Sequence, residues 1–83
     1  MENTITIIEY TISVWDKEYN EWLQMLRIDD NREQAIKMMK EYAEREESKA
    51  KIEVYEIVEK DVLRDLFWKT RPVISRKLIE TIE

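Results

Sequence analysis

Nineteen carboxylates, three tryptophans and four tyrosines are the side chains best able to do chemistry in this 83-residue chain, which has no histidine, cysteine or glycine to set beside them. Without His and Cys there is no ordinary zinc set, no Ser-His or Cys-His nucleophile pair, and no side chain that titrates near neutrality unperturbed. Without Gly there is no phosphate-cradling loop, dinucleotide fingerprint or EF-hand turn. Catalysis would fall to carboxylates, Lys, Tyr, or Ser13, Ser48 and Ser75. A carboxylate pair does acid–base work only where a pocket drives the two pKa values apart. No spacing along the chain marks such a pair, and Asp29-Asp30 lacks the separated oxygen ligands of a calcium loop. The sequence therefore predicts no enzyme, no cofactor and no metal site.

Three groups of residues suit recognition instead. Trp15 and Tyr19, with Trp22 and Tyr10, cluster in one stretch. Such aromatics anchor interfaces or pack across strands, and Trp15 and Tyr19 are the two that a turn would leave at the surface. Asp16, Glu18 and Glu21, Asp29 and Asp30, and Glu41, Glu44, Glu46 and Glu47 form acidic runs. A row of this kind can imitate a phosphate backbone for a basic groove, or it can be a solvated face. Phe67-Trp68 with Arg64, Lys69, Arg71, Arg76 and Lys77 is the one basic-aromatic stretch. It can stack bases and neutralise phosphates, or form an amphipathic helix with a solvated side. The candidate partner-binding residues are thus Trp15, Tyr19, Glu44, Glu46, Glu47, Phe67, Trp68 and Arg71.

The elements that must position them follow from hydrophobic period. Ile8, Tyr10, Ile12 and Val14 alternate with Glu9, Thr11 and Ser13 between Thr4 and Asp16, a strand with one apolar face. Ile5 and Ile7 sit on the other phase, so either a bulge interrupts the strand or its first half is covered on both sides. Glu21 to Ile28 reads as its hairpin partner, pairing Val14 with Trp22, Tyr10 with Leu26 and Ile8 with Ile28, with Asn20 adopting the left-handed conformation of the loop. Asp30 offers an N-cap with Glu33 as its capping-box partner, and Ala35, Ile36, Met39, Tyr42 and Ala43 predict an amphipathic helix from Asn31 to about Glu46. Lys51 to Glu59 reads as a third strand, apolar on both phases and therefore central or covered twice. Beyond Lys60, Val62, Leu63, Leu66 and Phe67 fit a short helix capped by Asp61. Pro72 can open a second one through Ile74, Leu78 and Ile82, or the segment is an arm that orders on a partner.

The expectation is one α+β domain over residues 1–83: a three-stranded antiparallel sheet built from a β-hairpin, a helix and a strand, one main helix packed on it, and one or two short C-terminal helices. Charge divides it. Residues 1–59 carry a formal −7 as an acidic ββαβ body, and residues 60–83 carry +2 as a basic extension. No apolar run is long enough to span a membrane, the start lacks a signal peptide's pattern, and the absence of cysteine agrees with a reducing, cytoplasmic setting.

The hairpin followed by the helix opening Asp30-x-x-Glu33-x-Ala35, over residues 5–45, resembles in outline the three-stranded-sheet DNA-binding domains at the start of phage-type integrases. Those domains are basic on the sheet, whereas Glu9, Glu21 and Glu53 lie in these strands, so DNA binding does not carry over. In size and charge the chain also looks like short phage and mobile-element proteins that inhibit host defence or transcription machinery by protein binding. The resulting expectation is a non-enzymatic protein-binding module acting on a partner with a basic surface, by occlusion or charge mimicry of a host nucleic-acid-handling complex. The alternatives are a small homo-oligomeric module and a nucleic-acid-binding accessory protein using the basic C-terminal segment.

Overall fold

A computed structural model describes residues 3–60 and 72–83. The chain runs β1 (Thr4–Asp16), β2 (Glu21–Asp29), α1 (Arg32–Arg45), β3 (Ala50–Lys60) and β4 (Val73–Ile82), and the strands form one antiparallel sheet in the order β2-β1-β3-β4. The expected three-stranded sheet with C-terminal helices is therefore corrected. The stretch from Pro72, read as a helix start, is a fourth strand that returns along β3, and Lys60 N–H donates to the Pro72 carbonyl at 2.9 Å where the two strands meet. The short helix expected from Asp61 lies outside the described residues.

Only one face of the sheet is covered by the helix. Tyr10, Ile12, Ile52 and Val54 meet Ala35 and Met39 of α1 in the core, with Ile8, Leu26, Ile28, Tyr42 and Ile82 around them. The β1–β3 ladder runs without a break from Thr4 to Val14, so Ile5 and Ile7 point to the opposite face with no bulge to turn them inward, and Ile7 lies across from a buried Ile57. β3 is a central strand, as its two apolar phases require.

The hairpin register differs from the expected one. Tyr10 faces Ile28 and Ile12 faces Leu26, but Ser13 faces Gln24 and Val14 faces Leu23, so Met25 is an extra residue in β2. This bulge moves Leu23 to the helix side and sets Trp22 opposite Trp15 on the open side. Asn20 takes φ 53° in the loop, as the sequence predicts for a turn without glycine. The N-cap of α1 is Asn31 rather than Asp30: its Oδ1 accepts from Gln34 N–H at 3.0 Å. Asp30 instead sits at φ 54°, and its carboxylate and amide close on the Ile8 amide and carbonyl at 2.9 and 2.8 Å. α1 ends in a Schellman turn, with Glu47 N–H donating to the Glu44 carbonyl and Ser48 N–H to the Ala43 carbonyl. Glu47 holds the left-handed position at φ 49°, where glycine is the usual occupant. No helix among the described residues is long and apolar enough to cross a membrane.

Candidate binding site at the hairpin end

Five of the eight predicted binding residues lie at one end of the molecule. The β1–β2 turn, built on Asp16 Oδ1 accepting from the Glu18 and Tyr19 amides at 2.9 and 3.3 Å, brings Trp15 and Tyr19 to the end of the sheet where α1 terminates. Tyr19 is 69% exposed at the tip. Three hydrogen bonds tie the turn to the helix end: Trp15 N–H to the Lys49 carbonyl at 2.9 Å, Ser48 Oγ to the Trp15 carbonyl at 2.7 Å, and Lys17 Nζ to the Glu47 carbonyl at 2.6 Å. The backbone of the site is thereby held from two elements.

Between them is a half-open cavity of about 190 Å³ lined by Val14, Trp15, Asp16, Lys17, Leu23, Met25, Glu46 and Ser48. Val14 and Trp15 of the unbroken β1 give part of its apolar lining, and the bulge adds Leu23 and Met25, both of which stay exposed. Its rim is acidic. Asp16 and Glu46 line it directly, while Glu44 and Glu47 are exposed on the adjoining turn of α1. Among the described residues Lys17 also lines the cavity, its ammonium donating to the Glu47 carbonyl, while Arg45 pairs with Glu46 at 3.7 Å and stacks on Tyr42 at 4.5 Å, so the carboxylates outnumber the one lining cation. The arrangement suits an apolar side chain flanked by positive charge. Sequence reasoning named Trp15, Tyr19 and the glutamates but missed Leu23 and Met25 as lining, because the bulge at Met25 has no glycine to announce it.

The open face of the sheet carries a second set of functional groups, and these satisfy one another. Glu9 is only 3% exposed and accepts from Thr11 Oγ1 at 2.7 Å; Arg27 reaches it at 3.3 Å from β2 and Arg76 at 3.1 Å from β4. Arg27 is also held by Asp29 at 3.0 Å, a hydrogen bond that raises its pKa. The Arg76 guanidinium stacks on Tyr55 at 3.7 Å, and Tyr55 O–H donates to Glu53 at 3.0 Å. Burial pushes the Tyr55 phenol upward, and the bond to Glu53 adds to it. Trp15 and Trp22 meet edge to face at 5.3 Å, with Lys49 over Trp15 at 4.7 Å and Lys51 over Trp22 at 4.4 Å. A face whose cations are already engaged by carboxylates and rings has little left for phosphates. Arg76, part of the expected basic-aromatic stretch, is consumed here, while Phe67, Trp68 and Arg71 lie outside the described residues. Among the described residues no three carboxylates converge to hold a metal ion.

No protein-family model matches the chain, and neither a curated protein nor a solved structure matches it.

Proposed function

We propose that the chain is a non-enzymatic protein-binding module that receives a basic, apolar-anchored segment of a protein partner at its hairpin end. The observation that carries this reading is the Leu23–Met25 surface in a cavity whose charged lining is Asp16 and Glu46 against the single cation Lys17, with Glu44 and Glu47 exposed beside it. An apolar anchor would supply affinity there, and the surrounding carboxylates would steer a basic surface into register. The absence of His and Cys speaks against most catalytic alternatives. The formal charge of −5 favours basic proteins over nucleic acid as partners, and the lack of cysteine suits work in the cytoplasm. Inhibition of a host nucleic-acid-handling complex is one use of such a surface, by occupying a groove meant for a phosphate backbone.

The test is affinity capture from a lysate of the organism that encodes the chain, after nuclease treatment, with wild type and Met25→Asp as parallel baits. Met25 is an exposed bulge residue, so its replacement spares the core. A protein retained by wild type and lost by the variant supports the reading. Identical captures by both baits, or a partner that disappears with nuclease, would overturn it.

A further inference from the structure

The outer edge of β4 is a second interaction surface, remote from the cavity. Among the described residues β4 pairs only with β3, and Val73, Ile74, Leu78 and Ile79 are each about half exposed along it. An edge strand this long and this apolar is a template for another strand. Its charges are antisymmetric, with Arg76 and Lys77 before Leu78-Ile79 and Glu80 and Glu83 after. We infer that β4 pairs antiparallel with β4 of a second copy about a two-fold axis at the Leu78–Ile79 peptide, joining two four-stranded sheets into one of eight.

The register follows from a bulge. A two-fold axis perpendicular to the sheet keeps its faces, so directly opposed residues must point the same way. Lys77 faces Glu56 and Glu80 faces Val54, while Ile79 is the extra residue between Tyr55–Leu78 and Val54–Glu80. Glu56 and Val54 are two apart, so Lys77 and Glu80 share the helix side and turn equivalent backbone groups outward despite being three apart. An antiparallel match of Lys77 with Glu80 of the second copy therefore satisfies both face and hydrogen-bond phase. The same register sets Arg76 opposite Thr81 on the open side and Ser75 opposite Ile82 on the helix side. Leu78 and Ile79 meet their counterparts at the axis, flanked by two Lys77–Glu80 contacts.

The charges are ready for this. The Glu80 carboxylate is fixed by both nitrogens of Arg32, at 2.7 and 2.9 Å, which lowers its pKa, and its side chain stays 43% exposed. Lys77 has no ion pair among the described residues, although Glu56 lies across the ladder from it. Bulges and edge lysines ordinarily discourage pairing with arbitrary strands. Here the Ile79 bulge admits one strand, that of an identical chain.

Sedimentation equilibrium of wild type, K77E, E80K and an equimolar mixture of the two variants tests the pairing. Wild type is expected to be a dimer at about 100 µM, each variant alone to dissociate at least about tenfold more readily, and the mixture to form the heterodimer in which both contacts are again opposite in charge. Misfolding of either variant cannot produce a heterodimer. A wild-type monomer at that concentration, or variants that pair with themselves as well as with each other, would overturn the proposal. Met25→Asp is expected to remain a dimer, which separates this surface from the hairpin end.

Discussion

Glu9 sits where an apolar residue would be simpler. A buried carboxylate is tolerable only because three donors from β1, β2 and β4 converge on it: Thr11, Arg27 and Arg76. The two arginines are about half exposed, so they can return to water if the carboxylate is removed, whereas Glu9 cannot if they are removed. Replacing both arginines by alanine is expected to cost about 3 kcal/mol in urea unfolding, and Glu9→Met less than half of that. Equal costs would mean that burial of the carboxylate is not what the arginines offset. Only part of this was legible in the sequence. Arg27 was within reach of Glu9 in any hairpin of β1 and β2, but the third partner, Arg76, arrives on a fourth strand that the sequence did not disclose. Tyr19 was legible as an exposed turn aromatic, because the polar stretch between two apolar alternations marks a hairpin end whatever its register, whereas Trp15, expected at the surface, is half-buried in β1 against Trp22.

At the scale of elements, the helix and first strand were readable because their periods are unbroken, Ala35-Ile36-Met39-Tyr42 for α1 and Tyr10-Ile12-Val14 for β1. β4 was not, and its bulges explain why. With extra residues at Ile74 and Ile79, the open side carries Val73, Arg76, Leu78 and Thr81, and the helix side Ser75, Lys77, Glu80 and Ile82. The alternation that announces a strand is lost, and Ile74, Leu78 and Ile82, four apart after Pro72, imitate a helix. The β2 register departs from the expected one by one residue at the turn, where Trp22 faces Trp15 rather than Val14, and by a second through the Met25 bulge. The cap of α1 moved by one residue because Asp30 is drawn into the β1–β2 ladder, leaving Asn31 to bond Gln34. At the other end, Glu47 occupies a left-handed position without glycine. Glu47→Gly is expected to stabilise the fold by about 0.5–1 kcal/mol, raising the unfolding midpoint by a few degrees in a thermal scan. An unchanged or lowered midpoint would place the strain elsewhere.

For the molecule as far as residues 3–60 and 72–83 describe it, the helix covers one side of the sheet, much of the open side is engaged by its own ion pairs and cation–ring stacks, and two surfaces stand out: the acidic-rimmed hairpin end and the β4 edge. They lie on opposite margins of the sheet, since the hairpin belongs to the β2 side and β4 is the far edge. Pairing through β4 would leave two hairpin ends facing outward, so a dimer could engage a repetitive or two-fold partner with the gain of linked sites. The most direct test of the interaction reading is calorimetric titration of the captured partner into wild type and into a variant with Glu44, Glu46 and Glu47 all replaced by lysine, at low and high salt. Affinity at least tenfold weaker for the variant at low salt, with the difference shrinking as salt rises, is the predicted result. Equal affinity at both salt concentrations would contradict it.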